Sequence, residues 1–364
     1  MKICVVTPLY TIAGVPLAQL RFARVLAERG HDVTLVIGRI DPEYKFPSMD
    51  GVNVRALNQR HVRGMLFSIW KYLRTAKPDV VFSAEDHLNS VVLLAAIGAA
   101  SKAKISCSSR VTPFDTYSNL PFTKRWILKQ LMRAVMWRAD ALTCVSKDMV
   151  EQYRQVFGLS PHVPVYNIVG DKISRRRMRE TVEHEWFLHK DFPVLVAAGR
   201  LAPWKGFSDL IRAMEELSQT RCARLVILGD GPLRGELESL IVELGLKDVV
   251  SLFGYVDNPL KFFARADVFV LSSHVEGLPN VLVEAMMCGC TPVSTDCPTG
   301  PREVLQDGKY GYLVPMRDPG ALASAIGRAL DNPIPKSLLD EAVRPFEESA
   351  VIKKHFEVLG LNAR

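Results

Sequence analysis

The chain has 364 residues, 48% hydrophobic and 23% charged, a globular composition that excludes a disordered or fibrous protein. The length predicts two domains, because single cores stop growing near about 250–300 residues. The net charge of +7 is uneven: residues 1–165 hold 22 Lys+Arg against 12 Asp+Glu, a net of +10, whereas residues 166–364 hold 24 against 27, a net of −3. That asymmetry predicts an anionic partner for the N-terminal half, and nucleic acid and anionic lipid both qualify.

Seven scattered cysteines argue against a disulfide framework and fit a reducing compartment. Cys288 and Cys290 are one residue apart, but no second Cys/His pair has zinc-ligand spacing, so they read as small buried thiols. The opening MKICVVTPLY reads as a buried strand, not as a secretory signal. The longest apolar run, residues 91–100, is too short to span a bilayer. These features predict a cytoplasmic protein, or one lying on a membrane from the cytoplasmic side.

In chain order, residues 3–6 predict a strand and 17–29 a helix with Leu20, Ala23, Val25 and Leu26 inward, closed by Gly30. Strands follow at 33–37 and 80–83, a helix at 89–100, a strand at 104–107 and a long helix at 123–139. A strand at 141–145 and a helix at 147–157 complete the first series, with 163–168 as its exit. After the charged stretch 172–179 a second series begins: strand 193–198, helix 207–217, strand 224–228, helix 233–244 and strand 249–253. Helix 259–264, strand 268–271, helix 279–288, strand 291–294, helix 321–330 and a helical stretch 340–359 end the chain. Strand–helix alternation implies parallel sheets covered on both faces. We read an α/β protein of two doubly wound domains joined near residue 170, with strand carboxyl ends able to face one another across a cleft.

The strongest chemical signal is SSHVEGLPNVLVE at 272–284. It leaves an apolar strand, passes Gly277, Leu278 and Pro279, and opens a helix at about Asn280–Val281. Free backbone N–H groups and a positive dipole end at such a turn suit a diphosphate. Glu284, about one turn into the helix, can accept hydrogen bonds from sugar hydroxyls, and Glu276 before the turn can point into the cleft. Arg200 and Lys205 directly follow the strand 194–198 and read as cations at its edge. Gly229 and Gly231 permit close backbone approach, and the loop 254–256, with Tyr255 and Val256, can read a base through backbone groups.

Glu276 and Glu284 in the setting E-G-L-P-N-V-L-V-E-A-M resemble the signature of the retaining family-4 glycosyltransferases of bacterial surface-glycan type. G-R-L-A-P-W-K-G-F (199–207) resembles that family's Arg/Lys diphosphate clamp, L-G-D-G-P-L (228–233) its second glycine loop, and F-G-Y-V (253–256) its nucleobase loop. T-D-C-P-T-G-P-R-E-V-L (295–305) resembles the surface-glycan subset. The resemblance implies the GT-B fold of two Rossmann-like domains: 1–168 for the acceptor, 169–340 for the nucleotide sugar, and 341–364 as a C-terminal helix returning to the first domain. It implies no metal and no cofactor beyond a nucleotide-sugar co-substrate, a UDP-sugar being commonest. It assigns donor contacts to Gly14, Arg200, Lys205, Gly229, Gly231, Tyr255, Val256, Glu276, Gly277, Leu278, Pro279, Asn280, Val281 and Glu284. Catalytic roles fall on Glu276, Arg200, Lys205 and His87, where two cations would stabilise the departing diphosphate.

The N-terminal domain departs from the family pattern. Only Gly14 stands where the family has two glycines, and His87 comes slightly late after its strand. Arg110 ends a strand-and-turn; with Gly14 and His87 it is the candidate acceptor site. Arg125, Lys129 and Arg133 repeat every four residues as one cationic stripe, beside Trp126, Leu128, Met132 and Val135, and suit an anionic leaflet. Met65, Leu66, Ile69 and Trp70 form a similar stretch flanked by Arg60, Arg63, Lys71 and Arg74. We therefore expect a retaining, metal-independent transferase acting on a lipid-linked saccharide at the inner membrane face. The alternatives are a soluble small-molecule acceptor and a nucleic-acid-binding protein, and no nucleic-acid-binding motif supports the latter.

Overall fold

The computed structural model describes residues 1–11, 14–158 and 161–362. The chain forms two compact units: Met1–Ile168 with Glu348–Arg364, and Val169–Glu347. Each is built on a wholly parallel sheet, as the strand–helix alternation predicts.

The first unit has strands β1 (Lys2–Tyr10), β2 (Asp32–Ile40), β3 (Val52–Ala56), β4 (Val80–Ala84), β5 (Lys104–Ser109), β6 (Ala141–Cys144) and β7 (His162–Pro164). Their order is β3-β2-β1-β4-β5-β6-β7, so the winding direction reverses between β1 and β4. Ile3 lies opposite Val33 on one side and Val80 on the other. The second unit has β8 (Val194–Ala198), β9 (Arg224–Leu228), β10 (Val250–Gly254), β11 (Val268–Leu271), β12 (Thr291–Thr295) and β13 (Tyr312–Val314). Its order is β10-β9-β8-β11-β12-β13, with the reversal between β8 and β11.

Burial explains the central strands. VVFSA of β4 and VLVAA of β8 are buried at every position, the mark of a strand covered on both faces. Helices Lys147–Phe157 and Pro319–Asp331 are capped by the side chain of the preceding residue. Ser146 Oγ accepts from Met149 N at 3.3 Å, and Asp318 Oδ1 accepts from Ala321 N at 2.9 Å ahead of Pro319. Each unit has its own apolar core, one around Val5, Leu35 and Phe82, the other around Leu195, Ile211 and Val270.

Two edge strands, β3 and β13, carried too little signal to be predicted. Both are short, and only Val52 of β3 and Val314 of β13 are buried. Helix Met65–Ala76 turns Met65, Ile69, Tyr72 and Leu73 into the core and leaves Leu66 and Phe67 exposed. The stretch 340–359 is not one helix. Arg344-Pro345-Phe346 breaks it, because proline cannot donate a backbone hydrogen bond. Helix Lys336–Val343 belongs to the second unit, so the boundary falls at Glu347 rather than at residue 340. Helix Glu348–Val358 packs Val351, Ile352 and Phe356 into the first unit's core.

Candidate functional site

The four motifs expected to bind donor leave the carboxyl ends of four neighbouring strands. Arg200 follows β8, Gly229–Gly231 follow β9, Tyr255 and Val256 follow β10, and the segment 272–279 follows β11. These loops lie on both sides of the β8/β11 reversal, where ligands bind in open α/β sheets. Helix Asn280–Cys288 opens at Asn280, with Val281 in its first turn and Glu284 one turn further in. Gly277 and Glu276 are half-buried, whereas Leu278 and Pro279 are buried beneath the turn.

Lys205 and Glu276 meet at the centre of this edge. Lys205 Nζ donates to Glu276 Oε1 at 2.5 Å, and both side chains are largely buried, at 18% and 11% exposure. Ser273 Oγ donates to the same carboxylate oxygen at 2.7 Å, and Thr299 Oγ1 donates to the Glu276 carbonyl. Sequence reasoning placed Lys205 on a diphosphate and Glu276 on sugar hydroxyls, and it missed both their pairing and the part of Ser273 and Thr299. Arg200 is exposed and makes no hydrogen bond or ion pair among the described residues. Burial, aided by the Glu276 charge, pushes the nearby Cys297 thiol up to about 12.

The loops are held by their own backbones. Gly199 N donates to Leu228 O at 2.9 Å, Leu201 N to Asp230 O at 3.0 Å and Gly229 N to Gly254 O at 2.8 Å. Gly229 has φ +139°, and a Cβ there would lie 1.9 Å from Gly199 O. The glycine is thus required by the protein's own chain, whatever a ligand adds. Gly206 has φ +64°, and a Cβ would lie 2.0 Å from Ser272 O. That contact lets the Lys205 loop rest on the Glu276 loop, where Ser272 Oγ donates to Lys205 O at 2.8 Å. His274 Nε2 lies 2.7 Å from Asp209 Oδ2 and its backbone N–H donates to Trp204 O at 2.8 Å, closing the same junction.

The residues expected to bind acceptor stand at the carboxyl edge of the first unit. Gly14 opens helix Gly14–Glu28, exposed, with open space where a Cβ would go. Its neighbours Ile12 and Ala13 lie outside the described residues. His87 is exposed near the start of helix Asp86–Gly98. Arg110 directly follows β5; its Nε and Nη1 are buried without a partner, and burial lowers its pKa to about 10. Sequence reasoning missed Glu85, one residue past β4, whose carboxyl is pushed up to about 7 by burial and then by Asp86. Asp86 itself is occupied, accepting from Ser109 Oγ at 2.9 Å and from Tyr153 OH at 2.6 Å.

The cationic stripe is a correction. Arg125 and Arg133 are exposed, but Lys129 is buried and donates to Asn119 Oδ1 at 2.6 Å. The stem of Lys129 is long enough to tuck under the helix, so a repeat of four does not keep its ammonium outside. What this surface exposes instead is apolar: Phe114, Leu120, Ile127, Trp137 and Phe122, the last at 87%. The charged stretch 172–179 carries a run of arginines, two of them held by acidic partners. Arg175 pairs with Glu347 at 2.6 Å and Arg177 with Asp257 at 2.7 Å, so neither is simply solvated.

Two family descriptions match the chain, "Glycosyl transferase 4-like domain" over residues 13–167 and "Glycosyl transferases group 1" over residues 178–345. The chain belongs to the family-4 glycosyltransferases. It is 35% identical over 272 residues to an uncharacterised glycosyltransferase of Methanocaldococcus jannaschii, covering 68% of this chain and 66% of that one. It is 29% identical over 265 residues to the N-acetylgalactosamine-N,N'-diacetylbacillosaminyl-diphospho-undecaprenol 4-alpha-N-acetylgalactosaminyltransferase of Campylobacter jejuni, covering 72% and 70%. The chain thus matches about two thirds of the length of these relatives. Anabaena HepE, solved in complex with UDP, shares the fold with a TM-score of 0.77 and 19% identity over 99% of this chain and 100% of that one. As in the sequence reading, this glycosyltransferase is α/β with two Rossmann-like sheets, and it is 31% identical over 224 residues to the lipopolysaccharide core biosynthesis glycosyltransferase LpsD of Rhizobium meliloti, covering 60% of this chain and 63% of that one. None of its described helices is long and apolar enough to cross a membrane.

Proposed function

We propose that this glycosyltransferase moves a sugar from a nucleotide donor, a UDP-sugar, to a lipid-linked saccharide at the cytoplasmic membrane surface. The observation that carries the donor half is the Lys205–Glu276 pair at the β8/β11 reversal, flanked by the unpaired Arg200. When the donor binds, its diphosphate draws Lys205 and Arg200, and Glu276 is released to hold sugar hydroxyls. Glu284 holds the ribose. As the bond from the sugar C1 to the diphosphate oxygen breaks, the leaving group gains charge that the two cations and the helix start at Asn280 stabilise. The acceptor oxygen bonds to C1 from the same face, and its proton passes to the departing phosphate oxygen. The anomeric configuration is retained, and no divalent ion is needed because the cations do its work.

Support for the acceptor half is chemical. The Campylobacter relative carries a diphospho-undecaprenol acceptor in its name. The first unit exposes Phe114, Leu120 and Phe122 beside Lys124 and Arg125, which suits the interface of an anionic leaflet. The deciding experiment supplies UDP-sugars and a polyprenyl-diphosphate-linked saccharide in anionic vesicles, with excess EDTA. Transfer with retained anomeric configuration is expected. Transfer only to a soluble small molecule, inversion at C1, or a strict manganese requirement would each contradict the reading.

A further inference from the structure

The segment between β12 and helix Pro301–Val304 turns through two consecutive residues of positive φ, Thr299 at +71° and Gly300 at +95°. Glycine enters that region freely, whereas a β-branched residue there is a true outlier. Gly300 has a packing reason to be glycine, because a Cβ would lie 2.5 Å from Pro279 Cδ and 3.0 Å from Gly277 O. What a threonine supplies at position 299, and a glycine would not, is a hydroxyl. Thr299 Oγ1 donates to the Glu276 carbonyl. Backbone strain kept for the sake of one side-chain contact is a mark of a functional site.

The neighbouring contacts run to the same residue. Thr295 Oγ1 donates to Ser273 O at 2.5 Å, and Ser273 Oγ donates to Glu276 Oε1 at 2.7 Å. Ser273, Thr295 and Thr299 are all buried, so water does not compete for these bonds. Glu276 is thus held at its backbone by the loop after β12 and at its carboxylate by Ser273. That grip does not depend on Lys205, whose Nζ reaches the same Oε1 at 2.5 Å. A carboxylate tied to Lys205 alone would swing free once a diphosphate drew the lysine away. Tied to Ser273 and Thr299, it keeps its place, and its second oxygen makes no hydrogen bond among the described residues.

We propose that Thr299 and Ser273 are positioning residues of the donor site, holding Glu276 where it receives donor-sugar hydroxyls after Lys205 has moved to the diphosphate. The assignment rests on the glycosyltransferase reading of the Lys205–Glu276 pair and adds the loop after β12 to it. Neither hydroxyl needs to touch the sugar.

Four variants test the proposal. Thr299→Val keeps the shape without the hydroxyl, Thr299→Ser keeps the hydroxyl, Thr299→Gly loses the hydroxyl but relieves the backbone, and Ser273→Ala removes the second anchor. Each is measured for melting temperature, for stabilisation by UDP, and for turnover of UDP-glucose, UDP-galactose and their N-acetylated forms, by hydrolysis or by transfer to a polyprenyl-diphosphate-linked saccharide. Thr299→Val, Thr299→Gly and Ser273→Ala are expected to lower kcat at least tenfold, and Thr299→Ser to keep at least about half of the wild-type rate. Stabilisation by UDP, which carries no sugar, should stay at wild-type level in all four. Thr299→Gly should melt above Thr299→Val, so that the lost rate follows the hydroxyl and not the stability. Wild-type kcat in Thr299→Val and Thr299→Gly, or in Ser273→Ala, would overturn the proposal. So would a loss of UDP stabilisation that matches the loss of rate, since that marks a collapsed loop. If the wild-type protein is stabilised by none of these UDP-sugars and turns over none, the donor reading itself fails and takes this assignment with it.

Discussion

Lys205 and Glu276 show how far residue types can be read ahead of geometry. Both stand out in the sequence because each follows a predicted strand end within a dense motif. Their direct contact does not, since 71 residues separate them and only the parallel order of β8 and β11 brings them together. Lys205→Ala is expected to lower kcat by about 10²-fold or more, because its charge matters most as the diphosphate departs. Near-normal turnover of a folded variant would contradict the role. Glu85 carries no spacing signal, and its positive φ and raised pKa appear only in the structure. Its raised pKa carries a stability consequence. The folded state holds the Glu85 proton up to about pH 7, whereas the unfolded chain releases it near its ordinary value of 4.5. Stability from this group is therefore present below that value, falls as pH rises through the window, and is flat above it. The melting temperature of Glu85→Gln relative to wild type should climb between pH 5 and pH 7.5. A pH-independent difference would show that the carboxyl is not perturbed.

At the scale of elements, strands and long helices were legible from apolar runs and the 3.6-residue repeat, because parallel strands buried on both faces leave unmistakable runs. β3 and β13 were not, since edge strands bury too few residues to make one. Loop glycines were only half legible: a glycine near a ligand and a glycine under another loop look alike in sequence. Gly206→Ala tells them apart. A Cβ 2.0 Å from Ser272 O at positive φ should destabilise the second unit by about 2 kcal/mol or more, seen as a lowered melting temperature without any ligand. Unchanged stability would mean that the Lys205 and Glu276 loops do not rest on one another. The helix Lys124–Val135 gives a parallel lesson. Periodicity put Lys129 on the outside with Arg125 and Arg133, but Asn119 lies where its ammonium can reach it. Lys129→Glu should therefore lower the melting temperature, while the double variant Arg125→Glu with Arg133→Glu should lower it less, as thermal unfolding of the two variants would show.

The whole molecule adds what no local pattern contains. The chain returns to its first unit through helix Glu348–Val358, whose Phe356 stacks on His31 at 5.6 Å and whose His355 contacts Phe22 and Phe82. Burial holds His355 neutral, its pKa lowered to about 3. The uneven charge is legible in the sequence, but which side chains stand outside is not, because the exposure of Phe114, Leu120 and Phe122 depends on the tertiary path of the chain. Leu120→Ser with Phe122→Ser should reduce binding to anionic vesicles at least tenfold and leave activity on a soluble acceptor analogue intact; wild-type vesicle binding would remove this patch from the membrane surface. The central claim, that the carboxyl edge of β8 and β11 binds a nucleotide sugar through Lys205, Arg200 and Glu276, is tested most directly by thermal unfolding against a panel of nucleotide sugars. At least one, a UDP-sugar, should raise the melting temperature of the wild-type protein through mass action, and Lys205→Ala should lose most of that shift. No shift with any nucleotide sugar, or an equal shift in Lys205→Ala, would contradict it.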